Sequence, residues 1–221
     1  MGYSFKDLTA ASQDTWQHYI EHPFVAGISD ASLPSEAFRC YLQQDYLFLV
    51  HFARAWGLAV YKSGNITELR HSLESLKTIA DTEMGLHVRY CEKWGISEAS
   101  LDVLPEARQT LAYTRFVLDC GHRGDLLDLH VALAPCLIGY AEIAHWIGSR
   151  AQTVTTDNPY QDWIDMYADT EFQQAARVER QWLDARLAQV SEARFKQLAT
   201  IFNDATRLEI DFWQMGLDAA C

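Results

Sequence analysis

The chain has 221 residues, of which 49% are hydrophobic, 12% aromatic and 22% charged. It is long enough to bury a core of its own, and that balance excludes a disordered or fibrous chain. Eleven glycines and five prolines are too few for the turn density of an all-β domain, and 18 basic against 30 acidic residues give a net charge of −12, which excludes a general nucleic-acid binder and suits a cationic ligand.

Helical periodicity runs through the chain. The spacing predicts a first helix over Phe5 to His22, with Leu8, Trp16, Tyr19 and Ile20 inward. Pro23, Gly27 and Pro34 mark a loop. Ser35 then caps a long helix from Glu36 to Lys62, whose apolar stripe is Phe38, Tyr41, Leu42, Leu49, Phe52, Trp56 and Ala59. Gly64-Asn65 ends it, and Thr67 caps a third helix that runs to Trp94. A fourth is predicted from Glu106 to Cys120; Gly121 and Gly124 separate it from a fifth over Asp125 to Ser149. Pro135 lies inside the fifth, where it removes a hydrogen bond and kinks the helix. After a polar linker, Asn158-Pro159 reads as a helix start. Thr170-Glu171-Phe172-Gln173 reads as a capping box behind a break near Asp169, and a last helix spans Ser191 to Leu217. The expected architecture is a single all-α helical bundle over residues 1–221.

The five cysteines are Cys40, Cys91, Cys120, Cys136 and Cys221, an odd count with no C-x-x-C pair. The first residues lack an apolar signal core, and no apolar run reaches the length of a membrane span. A cytoplasmic protein with reduced thiols and no membrane partner is expected.

The informative residues are polar groups on apolar stripes. Asp45 lies one turn from Tyr41, Leu42, Phe48 and Leu49. A buried carboxylate needs a partner; that partner is either an arginine such as Arg54 or Arg115, or a ligand. Glu209 falls on the stripe Leu198, Ile201, Phe202, Ala205, Phe212 and Met215. Held against aromatics it suits a general acid–base; the structural alternative is a pair with Arg207. Cys136 follows Pro135, with Tyr140 one turn on. A thiol beside freed backbone groups is a candidate nucleophile, though most helical cysteines are inert. Two E-x-x-H pairs, Glu68 with His71 and Glu142 with His145, have the spacing of carboxylate-bridged di-iron bundles. They keep a metal-dependent oxygenase or oxidase open as an alternative. His18, a lone helical histidine, reads as a satisfied side chain rather than a haem ligand.

Five segments resemble the TenA family, the thiaminase II enzymes, in order and spacing over nearly the whole chain. They are Tyr41 to Arg54, Glu83 to Gly95, Ala134 to Ile143, Asn158 to Tyr167 and Glu209 to Met215. The resemblance implies a haem-oxygenase-like all-α fold without haem, no cofactor, no metal, and a homotetramer. It implies hydrolysis of thiamine or of 4-amino-5-aminomethyl-2-methylpyrimidine to the hydroxymethylpyrimidine, in thiamine salvage. By position it makes Cys136 the nucleophile, Glu209 the acid–base and Asp45 the holder of the aminopyrimidine. Phe48, Tyr113, Tyr140 and Tyr167 then line the pocket. Phe48 stands where the family often has Tyr, which keeps a stacking face and loses a hydroxyl. His145 and Trp146 stand where the family has a smaller residue. A module that binds thiamine fragments without turnover needs Asp45 and the aromatics but no thiol, and is the third reading.

Overall fold

The computed structural model describes residues 2–101 and 103–219, and among them no strand occurs. Thirteen α-helices follow in chain order: α1 Phe5–Ala11, α2 Gln13–Ile20, α3 Pro23–Ser29, α4 Ser35–Lys62, α5 Ile66–Lys77, α6 Met84–Lys93, α7 Glu98–Leu101, α8 Arg108–Arg123, α9 Leu126–Ala134, α10 Tyr140–Ser149, α11 Gln161–Ala168, α12 Thr170–Leu187 and α13 Glu192–Leu217. Two π-helical segments interrupt them, Thr78–Glu83 before α6 and Pro135–Gly139 before α10. The chain divides into two compact units, one through Pro34 together with His130–Trp213, the other Ser35–Leu129 with the segment from Gln214 on.

In the second unit α4 packs against α5, α6 and α8. All seven residues of its predicted stripe are buried. Asn65, rather than Thr67, caps α5; its side chain accepts from the N–H groups of Thr67 and Glu68, both at 3.0 Å. Gly121 does not end α8. A Cβ there would lie 2.7 Å from Leu58 Cδ2 and 3.0 Å from Leu129 Cδ1, so the glycine admits close packing inside the helix, and only Gly124 breaks it.

In the first unit α10 packs against α2, α3, α11 and α12. Leu8, Trp16, Tyr19 and Ile20 are buried as predicted, although the first helix breaks at Ser12. The predicted loop after it is largely the helix α3. Pro23 occupies its first turn and the His22 ring nitrogen accepts from the Phe24 N–H at 3.2 Å, so this proline starts a helix. Asn158 has a different task from the one expected. It accepts from the Tyr160 N–H at 2.9 Å and donates to the carbonyls of Ile28 at 3.0 Å and Val154 at 3.1 Å, bracing the linker ahead of α11. The break near Asp169 is present, but Asp169 itself caps α12 by accepting from the Glu171 N–H at 2.7 Å.

Two expectations are corrected. The helical run Leu126–Ser149 is long and apolar enough to cross a membrane, and 72% of its most apolar window is buried inside the protein, as in the core helix of a folded domain. Cys40 is disulfide-bonded, so the thiols are not all reduced; Cys91, Cys120 and Cys136 are not in disulfides. Cys221 lies outside the described residues.

Candidate active site

The seven singled-out residues fall into two groups, one in each unit. The first group forms around Pro135. With no N–H to donate, proline cannot continue the α ladder, and the chain passes through a π turn, Pro135–Gly139, of the kind that recurs at functional sites. Cys136 lies on it. Of the three cysteines that are not in disulfides it alone is partly exposed.

Tyr140, buried, follows at the start of α10. Its ring lies 4.8 Å from that of half-buried Tyr167 and 5.3 Å from that of Trp213. Trp163 closes the cluster, 4.6 Å from Tyr167. These rings form an aromatic wall on which a flat heterocycle stacks. Glu209 is 1% exposed, one turn before Trp213 on α13. Arg207, its suggested structural partner, instead pairs with Asp204 at 3.6 Å.

The second group centres on α4 and α6. Asp45 is buried. Neither suggested arginine holds it. Arg115 bonds Glu106 at 2.7 Å, and Arg54 turns to His51 at 3.2 Å. Asp45 instead accepts from Tyr41 and lies 3.4 Å from His87 Nδ1. His87 Nε2 is 2.9 Å from the Leu42 carbonyl. A carbonyl only accepts, so Nε2 carries the proton and a neutral His87 offers Nδ1 as an acceptor. Burial pushes His87 down to about 4 and Asp45 up to about 7. In its protonated form Asp45 is placed to donate to Nδ1.

Glu83, at the end of the other π segment, is also pushed up to about 7, by burial and then by the charge of Asp45. The same burial, with Asp45's charge, pushes Cys91 up to about 12, so that thiol stays unreactive. Phe48 follows Asp45 by one turn and its ring lies 4.9 Å from that of buried Tyr113. Sequence reasoning singled out Asp45, Phe48 and Tyr113 but missed Glu83 and His87. Their signal was the i, i+4 spacing of a carboxylate and an imidazole within a quoted segment.

Glu68 accepts from the Gly64 N–H at 2.8 Å, and the His71 ring meets Trp56 edge-on at 6.3 Å. Glu142 accepts from Trp16 Nε1 at 2.9 Å and from Arg180, while His145 is exposed. His18 is exposed in an open surface groove with Asp14, Arg207 and Asp211.

An all-α chain of this order has a known architecture. It superimposes on a domain of Shewanella denitrificans with a heme oxygenase-like fold at TM-score 0.76, with 9% identity, over 98% of this chain and 93% of that one. Residues 9–219 match the TENA/THI-4/PQQC family, and the chain belongs to that family. It is 42% identical to a TenA family transcription regulator of Silicibacter sp. TM1040, over 98% of this chain and 97% of that one, with TM-score 0.90. It is 36% identical to an aminopyrimidine aminohydrolase of Halalkalibacterium halodurans, over 95% of this chain and 93% of that protein.

Proposed function

We propose that the chain is an aminopyrimidine aminohydrolase of the thiaminase II type, acting in thiamine salvage. It cleaves thiamine, 4-amino-5-aminomethyl-2-methylpyrimidine or both to 4-amino-5-hydroxymethyl-2-methylpyrimidine. The observation that carries this reading is the partly exposed Cys136 on a π turn that leads into Tyr140 and its aromatic cluster. The name of the Halalkalibacterium relative supports it. The Silicibacter relative is named a transcription regulator; a net charge of −12 weighs against a role that needs direct DNA contact.

Direct displacement at the exocyclic methylene is slow. The Cys136 thiolate adds to the electron-poor pyrimidine ring, forming a C–S bond. The ring electrons then expel the amine or the thiazole from the methylene; Glu209 delivers a proton to a ring nitrogen or to the leaving amine, while the thiazolium leaves as neutral thiazole and takes none. Water adds to the methylene and gives up a proton, and the C–S bond breaks to restore ring and thiolate. Asp45 holds the aminopyrimidine through its exocyclic amine or a protonated ring nitrogen. Phe48, Tyr113, Tyr140 and Tyr167 hold the ring and exclude water. The reading needs no metal or cofactor, and takes the protein as a cytoplasmic homotetramer.

Chromatography of incubations with thiamine and with the aminomethylpyrimidine tests the reading, and light scattering of the same preparation reports the assembly. The native chain releases hydroxymethylpyrimidine. Cys136→Ala loses turnover by about 10⁴-fold or more with unchanged circular dichroism. An active Cys136→Ala variant overturns the mechanism. Binding of both compounds by the native chain without product overturns the activity and leaves a thiamine-fragment binder.

A further inference from the structure

The π turn that presents Cys136 is held by a residue from α2. Tyr19 is fully buried, and its hydroxyl donates to the Pro135 carbonyl at 3.0 Å. That carbonyl belongs to the peptide plane whose nitrogen is that of Cys136. Fixing the plane fixes the N and Cα of Cys136, the base from which its side chain leaves the backbone.

The approach requires Gly139, because a Cβ there would lie 2.5 Å from Tyr19 Cε1 and 2.9 Å from its hydroxyl oxygen. The ring of Tyr19 also stacks near that of Trp213, 6.3 Å away and tilted by 16°. Trp213 lies one turn beyond Glu209 on α13. One side chain therefore braces the thiol's turn and packs on the helix that carries the carboxyl.

We propose that Tyr19 is a positioning residue for Cys136, acting through the Pro135 carbonyl, with Gly139 making room for it. This rests on the assignment of Cys136 as nucleophile. It adds a determinant remote in sequence from Cys136, on a different helix.

The test uses the full chain with Tyr19→Phe, and Tyr160→Phe as its control. Tyr160 also donates from a buried hydroxyl to a backbone carbonyl, that of Leu33, but it does not bond the π turn. Three quantities are read: kcat and KM, the rate of Cys136 alkylation by iodoacetamide against pH, and the melting temperature.

Tyr19→Phe lowers kcat by about 10- to 100-fold with KM nearly unchanged, the cost of a misplaced reacting group. It slows Cys136 alkylation by about 3- to 10-fold across the pH range, because the displaced thiol is presented differently to the reagent. Gly139→Ala shifts both readouts in the same direction. Tyr160→Phe lowers the melting temperature and moves neither.

Native kcat and a native alkylation profile in Tyr19→Phe overturn the proposal. So does a rise in KM alone, or the same changes in Tyr160→Phe. If the native chain turns over neither substrate, the functional reading fails while alkylation still decides the role of Tyr19.

Discussion

The chain leaves α-helical hydrogen bonding at Thr78–Glu83 and at Pro135–Gly139, and the two π segments are controlled in different ways. At Pro135–Gly139 the cause is covalent: a proline without an N–H, a glycine that admits Tyr19, and a hydroxyl on the Pro135 carbonyl. Thr78–Glu83 contains no proline. What is controlled there is charge. Glu83 at its end and Asp45 on α4 are both pushed up to about 7, and His87 is pushed down to about 4. One region holds the proposed nucleophile by backbone mechanics, and the other holds protons by burial. Faults in the first should therefore read out in kcat, and faults in the second as a changed response to pH.

The sharpest test of that contrast is Glu209→Gln. The amide keeps the volume of a side chain that is 1% exposed, so packing is preserved while proton transfer is removed. We expect kcat to fall by about 10²- to 10⁴-fold, with KM nearly unchanged. Steady-state kinetics on both pyrimidine substrates check it. A rise in KM at native kcat would place Glu209 in binding and break the division.

Asp45→Asn tests the other region and has a smaller effect on turnover. An acid whose pKa rises on folding holds its proton more tightly in the native chain. The resulting stability is fully present below pH 3.8 and is lost as pH rises toward 7, about 4 kcal/mol in all. Asparagine stays neutral at every pH, and its N–H donates to His87 Nδ1 as the protonated carboxyl does. Asp45→Asn should therefore be more stable than the native chain at pH 8, and the advantage should shrink to roughly half or less by pH 5. Its affinity for the aminopyrimidine should drop by about 10- to 100-fold, the loss of a charge-assisted hydrogen bond. Denaturant melts at the two pH values and a binding titration check both. A stability difference independent of pH would show that burial does not control this carboxyl.

Much of this was legible in the chain. The stripe of α4 is a clean 3.6-residue period and all seven members are buried. Pro135 announced a distortion because its chemistry is local. Asp45 and Glu209 stood out because a carboxyl on an apolar stripe is costly. Other features had no local signal. Pro23 reads equally as a loop marker or a helix start, and His22 decided it. Gly121 looked like a break because its neighbours Leu58 and Leu129 are set by packing. The bonds of His87 to Leu42 and of Tyr19 to Pro135 join residues 45 and 116 positions apart, and no window of sequence contains both ends. At the E-x-x-H pairs spacing gave no sign of the local contacts: Glu68 serves a turn, His71 meets Trp56, Glu142 joins α10 to α2 and α12, and His145 is exposed.

Glu142→Gln makes the smallest change and bears on the π turn from its far side. Glu142 lies just beyond that turn on α10, and binds Trp16 of α2 and Arg180 of α12. The amide can still accept from Trp16, so the substitution removes mainly the ion pair. Arg180 and Glu142 are 42% and 32% exposed, and solvent screening keeps such a pair to about 1 kcal/mol or less. In a chain of this length that is a fall in melting temperature of roughly 2–4 °C. If Tyr19 and Pro135 hold the nucleophile's turn, kcat stays at the native value. A carboxylate ligand to a metal would behave otherwise: its amide would lose metal and activity together, far out of proportion to the change in stability. Calorimetry, turnover and elemental analysis of one preparation separate the two outcomes. A large loss of kcat would mean that the turn depends on α10 from below rather than on its own proline and its tyrosine brace.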